Sequence, residues 1–64
     1  MTLQKVLQLR TAERIAKDAF YALHAAEAKP GFKASAKYTK LQGAMIAATM
    51  ARQAAMTEYA ATLA

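Results

Sequence analysis

Lys29-Pro30-Gly31-Phe32 contains the chain's one adjacent pair of strong helix breakers, and its place near the middle decides the fold. Proline has no backbone N–H to continue a helix, and glycine turns the chain without steric cost. The segments on either side contain no other proline and only one other glycine, Gly43. Two long segments of helix-forming residues joined by a short breaker predict an all-α, two-helix antiparallel hairpin. Helix 1 is expected over about 3–28, the turn over about 29–34 and helix 2 over about 35–63, in a single domain covering 1–64.

In the first segment Leu9, Ala12, Ala16, Ala19, Leu23 and Ala26 recur at spacings of three and four, which places them on one helical stripe that Ile15 and Phe20 widen. The second helix has two candidate starts. Ser35 is a usable N-cap, whereas Thr39 followed by Gln42 reads as a capping box; Ser35, or a residue just before it, is the favoured start. Beyond it Leu41, Met45, Ala48, Met56, Tyr59 and Leu63 form a bulky face, and Gly43, Ala47, Ala51 and Ala54 form a ridge of small residues. Folding the chain back at the turn pairs residues whose numbers add to about 65. Leu23 then meets Leu41, Ala19 meets Met45, Leu9 meets Met56, Glu13 meets Arg52 and Lys5 comes near Glu58.

Charge is unevenly distributed. Residues 1–40 hold Lys5, Arg10, Arg14, Lys17, Lys29, Lys33, Lys37 and Lys40 against Glu13, Asp18 and Glu27, and residues 41–64 hold only Arg52 and Glu58. The second helix is therefore apolar on more sides than one neighbouring helix can cover. Gly43, Ile46, Ala47, Met50, Ala51 and Ala54 are candidate contacts with other subunits, and Leu3, Val6 and Leu7 form a further apolar patch near the start of the chain. A chain of 64 residues buries only about 60% of the surface its unfolded form exposes. With no cysteine for a disulfide or thiolate metal site, association is the remaining route to stability. The chain is expected to join a homo-oligomeric helical bundle or a larger protein assembly.

The net charge of +5 favours anionic partners. Lys29, Lys33, Lys37 and Lys40 cluster at the turn with Phe32 and Tyr38 between them, so the tip is a candidate anion or nucleic-acid site. Phe32 is expected to plug the end of the hairpin and Tyr38 to lie in the core. Arg10, Arg14 and Lys17 form a second basic strip on helix 1.

The residues do not assemble an active site. Asp18 and His24 are about 9 Å apart along one helix axis, on faces about 120° apart, and Ser35 belongs to the turn. His24 and Glu27 share a face, but the reversed order and the absence of further carboxylates beside them argue against a di-iron-type bundle site. No catalytic role, metal, cofactor or small-molecule substrate is expected. Arg52 and Glu58 interrupt the only apolar run, which falls short of the ~20 residues a membrane span needs, and the first residues lack the pattern of a signal peptide. The expected location is cytoplasmic, or within a virion.

In length and two-helix plan the chain is similar to small plasmid-encoded RNA-binding hairpin dimers, which implies a nucleic-acid-binding dimer. The run Ala44–Met56, with its Ala, Met, Gln and Arg, is similar in composition to helical segments of bacteriophage internal virion proteins, which implies a structural component. The leading expectation is a non-enzymatic assembly protein. A nucleic-acid-binding hairpin dimer is the first alternative, and a small inhibitor docking on a host enzyme through Leu3, Val6 and Leu7 is the second.

Overall fold

The computed structural model describes residues 1–63: helix α1 over Leu3–Glu27 and helix α2 over Ala36–Leu63, packed against each other as an antiparallel hairpin. Both observed helices fall within one residue of the expected boundaries. Thr2 caps α1, its hydroxyl accepting from the Lys5 N–H at 3.2 Å. Ser35 caps α2: its carbonyl takes the first helical bond from the Thr39 N–H at 3.0 Å, and its Oγ accepts from the Tyr38 N–H, also at 3.0 Å. The same hydroxyl donates to the Glu27 carboxylate at 3.2 Å, tying the start of α2 to the end of α1.

The reversal takes two tight turns. Ala28, at φ −77° and ψ 82°, is the centre of an inverse γ-turn in which the Lys29 N–H donates to the Glu27 carbonyl at 2.9 Å. The Phe32 N–H then donates to the Lys29 carbonyl at 2.9 Å across Pro30 and Gly31. Gly31 has φ 81°, as the third position of a type II turn requires, and Pro30 supplies the fixed φ that suits the second.

Seven positions of α1 are buried or half-buried at spacings of three and four: Val6, Leu9, Glu13, Ala16, Phe20, Leu23 and Glu27. Their counterparts in α2 are Tyr38, Leu41, Met45, Ala48, Arg52, Ala55 and Tyr59. A 3-4 repeat on both partners is the seam of a two-stranded coiled coil. The α1 seam is rotated from the expected stripe. Leu9, Ala16 and Leu23 belong to it, but Ala12, Ala19 and Ala26 are exposed and Ile15 is 61% exposed. The rotation covers Val6 and the Phe20 ring, which remove far more apolar area from water than three alanine methyls. It also carries Glu13 into the seam, at 9% exposure.

The helices are also displaced from the expected register. The pairs Glu27–Ser35, His24–Tyr38 and Glu13–Thr49 all have numbers adding to 62 rather than 65. Side chains on a helix lean toward its N-terminus, so the long Arg52 side chain still reaches Glu13 from three residues further along, and that expected ion pair forms. In this register Val6 is level with Ala55 and Met56. Val6 and Ala55, 4% and 2% exposed, are the most buried apolar residues, while Met56 and Leu63, expected on the covered face, are exposed. The expected Lys5–Glu58 pair does not form; the Met1 amino group lies 3.6 Å from Glu58 instead.

The hairpin is a rod of 50 × 15 × 13 Å with a radius of gyration of 14.8 Å, where a globular chain of this length has about 11 Å. Its accessible surface is 4695 Å², against about 4,000 Å² for a folded monomer of this mass. Among the described residues only Val6, Phe20, Tyr38 and Ala55 form a buried apolar core. No described helix is long and apolar enough to cross a membrane.

Candidate functional site

The register and rotation of the helices give the hairpin two unlike sides. One residue before each seam position, α1 presents Lys5, Gln8, Ala12, Ile15, Ala19, Ala22 and Ala26, all exposed. The same shift on α2 gives Lys37, Lys40, Ala44, Ala47, Ala51, Ala54 and Glu58, also all exposed. In an antiparallel pair, positions that precede the seam on both helices flank the same side. That side is therefore a continuous apolar strip of alanines with Ile15 among them and charges only toward its ends. Gly43 and Met50 extend the uncharged surface over the back of α2, with Met50 63% exposed, whereas Ile46, one residue after the seam position Met45, is exposed on the other side.

Gly43 gives no sign of close approach within the hairpin, since a Cβ built there meets nothing within 4 Å. Gly43→Ala should therefore raise the denaturation midpoint, by about 1 kcal/mol from helix propensity. A lowered midpoint would instead place a neighbour against the glycine.

The opposite side carries the exposed basic residues of α1, and on α2 Ile46 and Met56 are exposed there beside the polar Thr39, Gln42 and Gln53. Arg10 and Arg14 are exposed along a shallow groove with Leu7, Asp18 and Tyr21. Lys17 does not belong with them as a free cation. It is half-buried and reaches the Glu13 carboxylate at 3.7 Å. Arg52 holds that carboxylate from across the seam by a two-point contact, Nε to Oε1 and Nη2 to Oε2, each at 3.1 Å. These hydrogen bonds, helped by the Thr49 hydroxyl, hold the Glu13 carboxyl below the usual carboxylate range against the opposing effect of burial.

At the turn end Phe20, Tyr38 and Phe32 pack in sequence, each neighbouring pair of ring centres 5.0 Å apart, with Phe32 edge-on over Tyr38. Tyr38 is buried and its hydroxyl is 2.9 Å from His24 Nδ1. Phe32 thus closes the end of the seam. Around it Lys29, Lys33, Lys37 and Lys40 are all exposed, and none forms an ion pair among the described residues.

The N-terminal patch is smaller than expected. Val6 faces α2 because it occupies the seam, so only Leu3 and Leu7 remain exposed.

The chain matches no family model, no curated protein and no solved structure.

The remaining chemical side chains are engaged separately. Ser35 caps α2 and bonds Glu27, His24 meets Tyr38, and Asp18 is exposed on α1. Among the described residues no three His, Asp or Glu side chains gather as a metal cluster would. The α1 half of the alanine side is not separable in the sequence because Ala12, Ala19 and Ala26 also fit a 3-4 ladder with the true seam residues Leu9, Ala16 and Leu23, whereas Ala47, Ala51 and Ala54 of the α2 half lie in the small-residue ridge read from the sequence. The signal that separates the two ladders is side-chain size: the seam holds Val6 and Phe20, and the flank is almost all alanine.

Proposed function

We propose that the chain is a non-enzymatic helical assembly protein, whose second helix is covered on one side by α1 and on its remaining apolar surface by other helical subunits. The observation that supports this most is the combination of a two-sided helix with an oversized surface. From residue 41 onward α2 carries two charges, and one of them, Arg52, is consumed in the seam. The accessible surface exceeds that of an ordinary folded monomer by roughly 700 Å². Covering Ile46, Met50 and the alanine ridge at ~25 cal/mol per Å² of apolar surface contributes several kcal/mol, a large part of the stability available to a chain this short. Sedimentation equilibrium of the purified chain at micromolar concentration should report a mass of two or more chains. A fully helical species with the mass of one chain would contradict the reading.

The unpaired lysines at the tip favour a second reading, in which the assembled hairpins also bind nucleic-acid phosphates. Binding in a gel shift should then weaken steeply with added salt. Absence of salt-sensitive binding would remove this reading and leave assembly intact.

A further inference from the structure

We infer that the occupant of the alanine side is a second copy of this chain, laid antiparallel about a two-fold axis so that Lys40 of each copy meets Glu58 of the other. This inference rests on the assembly reading and names its partner.

Charge complementarity selects this arrangement. Read in order, the exposed ladder of α2 begins with Lys37 and Lys40, continues through Ala44, Ala47, Ala51 and Ala54, and ends with Glu58. Turned end for end and laid on itself, the ladder places Lys40 opposite Glu58, Ala44 opposite Ala54 and Ala47 opposite Ala51. The pairing occurs twice, as a two-fold interface requires. Glu58 is available for it, its side chain remaining 62% exposed beside the Met1 amino group. The alternative two-fold arrangement, with both turns at one end, brings the two clusters of Lys29, Lys33, Lys37 and Lys40 together and is opposed by like charge.

Side-chain volumes on α1 fit the same arrangement. The axis that pairs Lys40 with Glu58 crosses α2 at residue 49, and the hairpin register places that level at residue 13 of α1. Ile15 is the one bulky side chain among the alanines of the α1 ladder, and it is 61% exposed. About this axis Ile15 of each copy lies over Ala12 of the other, large against small. Charges on α2 and side-chain volumes on α1 thus agree on one placement. Alanine ladders also permit interaxial distances near the short end of the 8–10 Å range.

The area of the side is sufficient for a stable dimer. A side 50 Å long and 15 Å wide matches the roughly 800 Å² per partner of a standard interface. The basic strip with Arg10 and Arg14 lies on the opposite side, so both copies keep it in water.

The test is sedimentation equilibrium of the full chain and its charge variants, with helix content followed by circular dichroism. The parent should be a dimer. Lys40→Glu and Glu58→Lys should each weaken the dimer about tenfold, since each turns two exposed attractive pairs repulsive. The double variant carrying both changes should regain most of the parent affinity. Ala47→Glu, which alters a residue exposed in the hairpin, should abolish the dimer. Assembly that ignores Ala47→Glu, or a double variant no tighter than the single ones, would overturn this interface while leaving the assembly reading standing. A helical monomer for the parent would overturn both.

Discussion

Phe20→Ala is expected to unfold the hairpin. Phe20 is one of four buried apolar side chains among the described residues, and its ring packs 5.0 Å from Tyr38 and 5.5 Å from Tyr21, centre to centre. Truncating a buried phenylalanine costs about 3–5 kcal/mol, and a chain of this length has a total stability of only about 3–10 kcal/mol. The neighbouring rings cannot close the gap, because Tyr38 is fixed between Phe32 and the His24 contact. Thermal melts followed by circular dichroism should show the midpoint collapsing, with little helix left at room temperature. Phe32→Ala, at a half-exposed ring, should lower the midpoint much less. A Phe20→Ala midpoint within a few degrees of the parent would mean that the aromatic stack does not hold the seam.

The second large effect is expected at the charge pair inside the seam. Arg52→Leu leaves the Glu13 carboxylate in the seam with only the Thr49 hydroxyl and Lys17 to hold it, and should lower the midpoint strongly at neutral pH. Replacing both partners by leucine should recover much of the loss, because an apolar pair of fitting shape often serves a seam as well as an ion pair, while an unpaired charge does not. The parent should also lose stability in acid. Glu13 is lowered in the folded chain by the Arg52 hydrogen bonds, with Thr49 and Lys17 adding to the effect, so the folded state binds that proton less readily than the unfolded state. The stabilisation is fully present above the ordinary carboxylate range and disappears as pH falls through the depressed value. Glu13→Gln should flatten this part of the pH profile. A profile unchanged in Glu13→Gln would assign the acid sensitivity to other groups.

Several features were readable from the sequence because one local signal determines each. Pro30-Gly31 has no role in a helix interior and becomes the two central residues of the turn, and Ser35 serves as the cap that its position suggested. The Glu13–Arg52 pair was legible because Arg52 and Glu58 are the only charges in the second segment and each needs a partner. The rotation of α1 was not. Alanine fits either of two adjacent ladders equally well, and a charged Glu13 reads as a surface residue until Arg52 is placed across from it. The same ambiguity left Val6 in the surface patch. The register was legible only to within about a turn, because Arg52 and Glu13 are long enough to meet across a three-residue offset. For the same reason the paired charges overstated the sum at which the backbones align. The α2 half of the alanine side was legible as the ridge through Ala47, Ala51 and Ala54, but its α1 half emerges only when both helices are placed together, since Ala12, Ala19 and Ala26 are not distinctive alone.

All of these expectations depend on the hairpin being an incomplete structure whose uncovered apolar surface is buried by association. The most direct measurement is the thermal midpoint of the pure chain over a hundredfold range of concentration. If folding and association are coupled, the midpoint should rise steadily with concentration by mass action. A midpoint that stays constant from the lowest concentration to the highest, with full helix content throughout, would show that two helices suffice and would contradict the account.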